Sequence, residues 1–141
     1  MTVVFDMHQT IYQSAPDCEK KIREMPGAID TFLDFFDQGY KIVIISSSII
    51  QHSRQVLQSL LEERDLPSER IKQIFNQIDI LTMQYFGSKH DPDSWKQAMQ
   101  PYQNIEYIFE DGEEKLKAAG QAAQDLGSSP ELYQSIKEYL E

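Results

Sequence analysis

The stretch Val3-Val4-Phe5-Asp6-Met7-His8-Gln9-Thr10 places a carboxylate at the end of a short apolar run, almost at the start of the chain. The apolar residues 3–5 predict a buried strand, and Asp6 then lies at its carboxyl end. In open α/β sheets, ligands bind outside the carboxyl ends of the strands. The stretch therefore predicts a ligand site at Asp6, with His8 two residues further on as a second polar group.

Apolar runs alternate with helical periodicities along the rest of the chain. The predicted strands are 3–5, 42–45, 79–82 and 105–109, and helical patterns cover 29–36, 56–61, 71–78, 92–99, 116–126 and 129–140. The continuous run 42–45 is typical of a central parallel strand covered on both faces. Alternating strands and helices predict βαβ units. We therefore expect one α/β domain over residues 1–141: a three-layer, Rossmann-like parallel sheet flanked by helices.

Composition narrows the classes of function. The 141 residues include 23 acidic and 13 basic side chains, giving a net charge of −10. Such a surface repels phosphate backbones and anionic lipid, so we expect no nucleic-acid partner and no membrane. The single cysteine, Cys18, excludes an internal disulfide. The apolar stretch before Asp6 is too short for a signal peptide, and 42–45 is too short to span a bilayer, so we expect a cytoplasmic location.

Polar residues follow the three clearest strands. These residues are Asp6, Ser46 and the pair Glu110-Asp111, and Lys89 precedes the helix that leads to the fourth strand. Since the carboxyl ends of parallel strands share one edge, we expect these side chains to converge. Two carboxylates, Asp6 and Asp111, suit Mg²⁺, which prefers oxygen ligands. The Ser46 hydroxyl and the Lys89 ammonium suit phosphate oxygens, so the set indicates phosphoryl transfer.

Four motifs in this order resemble the haloacid dehalogenase-like (HAD) superfamily, whose members are mostly phosphatases. The matching segments are Asp6-Met7-His8-Gln9-Thr10, the strand 42–45 ending in Ser46, Lys89 before the Pro92-started helix, and Glu110-Asp111 before an alanine-rich helix. The approach to the second motif, from Pro26-Gly27 to Gly39, is also similar to the family pattern. The resemblance covers roughly residues 2–127, and the order and spacing of the four motifs make it fairly specific.

The resemblance implies a nucleophilic mechanism with Mg²⁺ as cofactor. Asp6 would attack phosphorus and form an aspartyl-phosphate. Asp6, the backbone carbonyl of His8, and Asp111 would bind the metal, while Ser46 and Lys89 would steady the phosphoryl group. The implied substrate is a phosphorylated small molecule or a phosphoprotein.

The sequence departs from the family pattern at two places. His8 stands where the phosphatases carry a second aspartate as general acid/base. A histidine, with an ordinary pKa of ~6.5, can replace that acid/base; His8 can also mark a domain that binds without turnover, or serve a different reaction. In the fourth motif, a second acidic residue four places on is Glu114 when counted from Glu110, but Lys115 when counted from Asp111. Whether Glu110, Glu114 or neither assists Asp111 stays open.

Residues 12–25 form the most irregular segment, and they are too few for a helical cap domain. We therefore expect a minimal or absent cap and an open site, which suits a macromolecular substrate or a lid supplied by a neighbouring copy. The leading hypothesis is a Mg²⁺-dependent phosphatase, and the alternative is a catalytically weak or inactive binding or regulatory domain. A receiver-type signalling domain fits less well, because Lys89 precedes a strand.

Overall fold

The computed structural model describes all residues, 1–141, and its core is a five-stranded parallel sheet in the order β5-β4-β1-β6-β7. The strands of this sheet are β1 (Thr2–Phe5), β4 (Lys41–Ser46), β5 (Asp79–Thr82), β6 (Ile105–Phe109) and β7 (Glu131–Tyr133). A hairpin of β2 (Tyr12–Ser14) and β3 (Ile22–Glu24) stands apart from it. The helices are α1 (Ala28–Asp37), α2 (Ile50–Glu62), α3 (Ser68–Gln77), α4 (Pro92–Met99), α5 (Glu113–Asp125) and α6 (Ile136–Leu140), with a 3₁₀ turn at Met83–Tyr85.

Alternating side chains of the central strands pack into two separate cores. Val3 and Phe5 face a core formed with α1, α2, α3 and α6, whereas Val4 faces a core formed with α4 and α5. In β4, Ile42 and Ile44 pack into the first core, whereas Val43 and Ile45 pack into the second. This alternation follows from the two-residue period of a strand. The predicted three-layer α/β architecture is confirmed.

The central position of β1 places its carboxyl end in the middle of the sheet. All four β1 residues are buried, and the strand pairs with β4 on one side and β6 on the other. The backbone N–H of Asp6 continues this pairing by donating to the Phe109 carbonyl at 2.9 Å. Backbone hydrogen bonds of the sheet therefore fix the position of the Asp6 main chain at this edge.

The prediction of one helix from Ser129 to the end of the chain is wrong. Residues Glu131–Tyr133 form the edge strand β7, and the helix α6 begins only at Ile136. Leu132 packs so closely on α5 that a Cβ at Gly120 would lie 2.7 Å from its Cδ1. The backbone of β6 and the bare surface of Gly120 stabilise the strand, and neither is visible in the local apolar pattern.

The structure also shows the conformation of the segment 12–25 and the residues at which helices α3 and α4 begin. The segment 12–25, expected to be irregular, contains the hairpin β2–β3. Ser68 follows a proline and is a typical capping residue, but it is the first residue of α3, and Pro67 occupies the N-cap position. Asp91 caps α4: its Oδ1 accepts from the Asp93 N–H at 3.0 Å, and Pro92 begins the helix. No helix is long and apolar enough to cross a membrane.

Candidate active site

Asp6 lies at the floor of a pocket at the carboxyl edge of the sheet, with 6% of its surface exposed. The chain turns sharply after it: the N–H groups of Thr10 and Ile11 donate to the Met7 carbonyl, and Gln9 adopts a left-handed φ of 66°. This turn brings the buried Thr10 hydroxyl to Asp6, where it donates to Oδ2 at 3.3 Å. The hydroxyl four residues after Asp6 therefore orients the carboxylate.

Lys89 bridges two buried carboxylates. Its Nζ donates to Asp6 Oδ1 at 2.7 Å and to Glu110 Oε1 at 2.6 Å. All three residues are almost fully buried, Lys89 at 4% exposure and Glu110 at 1%. The Trp95 indole N–H donates to the Lys89 carbonyl at 2.7 Å, so α4 holds the backbone that carries the ammonium. Burial of a lysine at this depth is rare unless it is paired.

The pKa of Asp6 is raised to about 7 in the metal-free protein. Burial is the largest cause, because it penalises the charged carboxylate, and the charge of Glu110 adds to it. The Lys89 ammonium opposes both effects without cancelling them. When Asp6 is ionised, two buried carboxylates share a single ammonium, so the three side chains carry one net negative charge that a cation would neutralise.

Asp6, Glu110 and Asp111 each offer a carboxylate oxygen, and these oxygens lie within 4.8 Å of one another. Glu110 has both oxygens engaged, because Lys89 donates to Oε1 and the Gly112 N–H donates to Oε2 at 3.2 Å. Asp111 is exposed and faces the pocket. A set of hard oxygen donors fits Mg²⁺, and the exposed Asp111 is the most accessible of the three carboxylates. Glu110 chiefly positions Lys89.

The structure distinguishes the two positions considered for the second acidic residue of the fourth motif, Glu114 and Lys115. Glu114 is exposed and lies 3.7 Å from Lys117 on the solvent side of α5, so it is not part of the acidic cluster. Lys115 lines the pocket instead, as a cation that the motif pattern does not predict. Of these candidates, only Glu110 lies in the acidic cluster with Asp6 and Asp111.

Ser46 ends β4 at the same edge and is buried, with 2% exposure. Its Oγ accepts from the Ser48 N–H at 3.0 Å, which fixes the turn into α2 and leaves the O–H able to donate to a ligand. The N-cap of α2 is Ile49, so Ser46 does not act as that helix cap. Asp6, Ser46, Lys89 and Asp111 thus line one open pocket of about 370 Å³, as their sequence positions predict.

His8 is exposed at the mouth of this pocket. Its ring lies 5.4 Å from the Tyr12 ring, centroid to centroid, at an angle of 58°. Tyr12 is buried, and its hydroxyl lies 3.3 Å from Nε2 of His52 on α2. Burial, with a smaller effect of Asp6, raises the pKa of Tyr12. Neither the place of Tyr12 in the site nor its contact with His52 is apparent from the sequence, because both depend on where the hairpin β2–β3 folds.

The sheet order and the pocket together define a Rossmann-like α/β protein with an acidic site at the carboxyl ends of its strands. The chain matches no family model, and no curated protein sequence is significantly similar to it. Solved structures do match.

The structure is similar to the HAD domain of effector protein Lem4 from Legionella pneumophila, with TM-score 0.66 and 16% identity over 99% of this chain and 91% of that chain. A HAD-superfamily hydrolase from Ehrlichia chaffeensis matches with TM-score 0.58 and 14% identity over 96% and 90% of the two chains. D,D-heptose 1,7-bisphosphate phosphatase from B. bronchiseptica, solved with magnesium and phosphate, matches with TM-score 0.53 and 14% identity over 99% and 86%. The chain therefore has the fold of the HAD superfamily, as its four motifs predict.

Proposed function

We propose that this chain is a Mg²⁺-dependent phosphatase of the HAD type, acting on phosphomonoesters through an aspartyl-phosphate at Asp6. The observation that carries the proposal is the buried contact of Asp6 with Lys89, beneath an open pocket that Asp111 and Ser46 also line. Phosphoryl transfer requires mainly positioning and charge neutralisation, and this set of side chains can supply both. The phosphatase among the structural neighbours adds support.

Asp6 and Asp111 would hold the metal, with Glu110 placing Lys89 beside them. When bound, Mg²⁺ would neutralise charge on the phosphate oxygens and favour the ionised form of Asp6. The contribution of the His8 carbonyl to the metal site stays a prediction.

The chemical steps follow from the side chains. A carboxylate oxygen of Asp6 forms a bond to phosphorus while the bond from phosphorus to the ester oxygen breaks, and the departing oxygen takes up a proton. Water then attacks phosphorus, losing a proton, so inorganic phosphate leaves and the Asp6 carboxylate is restored. Lys89 and Ser46 donate to the phosphoryl oxygens. His8, at the mouth of the pocket, can give the first proton and accept the second.

A second candidate function is a HAD-type binding or regulatory domain with weak or no turnover. The observation that favours it is His8 itself. Its ring is exposed and its contact is an aromatic one with Tyr12, so no hydrogen bond holds it in an orientation for proton transfer. A poorly positioned acid/base loses part of the ~10²–10⁴-fold rate contribution of such groups.

The test is hydrolysis of p-nitrophenyl phosphate and a panel of natural phosphomonoesters by the wild type, Asp6→Asn, His8→Asp and Asp65→Asn. Asp65 is exposed, lies outside the pocket and has a left-handed φ of 55° that asparagine tolerates, so Asp65→Asn is a matched control. We expect Mg²⁺-dependent turnover that chelator and Asp6→Asn abolish and Asp65→Asn preserves.

The His8→Asp variant separates the two candidates. A loss of rate shows that His8 is the working acid/base, whereas a gain of about 10²-fold or more shows a weakened phosphatase. Absence of turnover by the wild type across the panel, with Mg²⁺ supplied, would contradict the phosphatase proposal.

A further inference from the structure

Three exposed apolar side chains, Ile49, Ile50 and Tyr85, form a patch that we call the rim patch. Their exposed fractions are 55%, 39% and 79%, and together with Thr82 and Gln84 they line a shallow groove of about 280 Å³. Half of the six large apolar side chains that are exposed in this protein lie in this groove. Exposed apolar side chains that lie together in a groove are a candidate site of interaction, whereas single scattered ones need no explanation.

The rim patch adjoins the candidate active site along the loop that follows β4. Ser46 and Ser48 line the pocket, and Ile49 is the next residue in the chain. Gln84, in the groove, donates from Nε2 to the Ser47 carbonyl at 3.0 Å. Because the two sites adjoin through consecutive residues, an extended peptide with its phosphate in the pocket would contact the patch with a side chain close in sequence to the phosphoresidue.

The pocket alone offers little apolar contact to a substrate. Tyr12 is the only hydrophobic residue among the 11 that line it. The chain between β1 and α1 forms only the hairpin β2–β3, and the helices α2 and α3 pack their apolar faces into the core, so none of these segments supplies a folded cap. Pockets for small ligands usually bury most of the ligand against apolar walls. In this protein, apolar surface lies beside the pocket, where only an extended substrate can contact it.

We propose that the substrate is a phosphorylated segment of another protein, with its phosphate in the pocket and an adjacent apolar side chain on the rim patch. This inference rests on the proposed function and names its substrate class. The net charge of −10 favours a segment whose flanks carry basic or neutral residues over one with acidic flanks. The patch contributes apolar burial, and the pocket selects the phosphate.

The experiment compares phosphopeptides that share one positively charged sequence and differ only in the residue next to the phosphoresidue, which is either leucine or glycine. One pair of peptides varies the residue before the phosphoresidue, and a second pair varies the residue after it. Activity is measured as kcat/KM with the wild type. Binding is measured by fluorescence anisotropy with Asp6→Asn, which keeps the pocket but lacks the proposed nucleophile. We expect the leucine peptide to be favoured about tenfold or more in both measurements, which corresponds to burial of one apolar side chain.

Variants of the rim patch test whether this preference arises there. In Tyr85→Ser and in Ile49→Ser, the leucine-to-glycine ratio should fall towards one. Leu140→Ser removes an exposed apolar side chain of similar exposure, 59%, outside the groove, and it should retain the ratio. Thermal unfolding verifies that each variant is folded.

The outcomes separate this inference from the proposed function. Turnover of p-nitrophenyl phosphate without any leucine preference overturns the docking inference and leaves the phosphatase proposal standing. Leucine-selective binding by Asp6→Asn with an inactive wild type supports docking and contradicts the phosphatase proposal. A wild-type dimer that Tyr85→Ser dissociates, with the peptide ratio unchanged, shows that the rim patch binds a second copy of this chain and overturns the inference.

Discussion

Asp6→Asn should stabilise the metal-free protein at pH 8 even though it removes the proposed nucleophile. Burial and Glu110 raise the pKa of Asp6 from 3.8 to about 7, so the folded protein is destabilised when this group ionises. Each pKa unit corresponds to about 1.4 kcal/mol, so the shift sets an upper limit of about 4 kcal/mol. Asparagine can still accept from Lys89 and donate to the Thr10 hydroxyl. After local relaxation we expect a gain of about 1–3 kcal/mol, or roughly 3–10 °C in Tm.

The pH dependence has a definite sign. Between about pH 4 and pH 7, Asp6 binds more proton in the folded state than in the unfolded state, so the stability of the wild type falls as pH rises through this window. Asparagine has no proton to lose. The advantage of the variant over the wild type should therefore be small near pH 4.5 and reach its full size above pH 7.

Urea unfolding in the presence of EDTA, at pH 5 and pH 8, measures this difference. Asp65→Asn, the exposed control, should change stability by no more than about 0.5 kcal/mol at either pH. The reasoning fails if Asp6→Asn is less stable than the wild type at pH 8. It also fails if the difference between the two proteins is the same at both pH values, because the effect would then not arise from ionisation of Asp6.

Metal binding, the buried lysine and a tight glycine turn each give a further test. Mg²⁺ should raise the Tm of the wild type more at pH 8 than at pH 6, because a proton on Asp6 competes with the metal; equal shifts in a thermal melt would contradict this. Lys89→Met should destabilise the protein by about 3–5 kcal/mol in urea unfolding at pH 8, since Asp6 and Glu110 lose their shared ammonium; a change below about 1 kcal/mol would refute it. Gly87→Ala should lower stability by about 1–3 kcal/mol in the same assay, because φ is +127° and the new Cβ would clash with Ser94 Oγ. An unchanged unfolding midpoint would show that the loop adapts.

Much of the sheet is predictable because its strands are apolar runs. The run 42–45 is buried on both faces, so its composition alone indicates a central strand. The edge strand β7 has no such pattern, since Glu131 and Leu132 are exposed and only three residues pair with β6. Its conformation depends on a neighbour that is distant in the chain, and local periodicity therefore assigned it to a helix.

In the site, too, some features are predictable from local sequence patterns and others depend on segments that are distant in the chain. Strand ends and a proline-started helix locate Asp6, Ser46, Lys89 and Asp111, because parallel strands bring their carboxyl ends to one edge. The role of Glu110 was open in the sequence, since an acidic residue at a helix start is usually explained by the helix dipole. The folded chain places Glu110 2.6 Å from the Lys89 ammonium, a contact that no local pattern predicts.

The order of residues along the chain was sufficient for the fold class, the sheet edge that carries the site, and four of the side chains that meet there. These depend on periodicity and on strand ends, which are local properties. Tertiary structure decided how the charges are shared: Lys89 lies between Asp6 and Glu110, the resulting burial raises the pKa of Asp6, and Asp111 is left facing the pocket. It also set the rim patch beside that pocket. Such features depend on distances and burial between segments far apart in the chain, which no local pattern encodes.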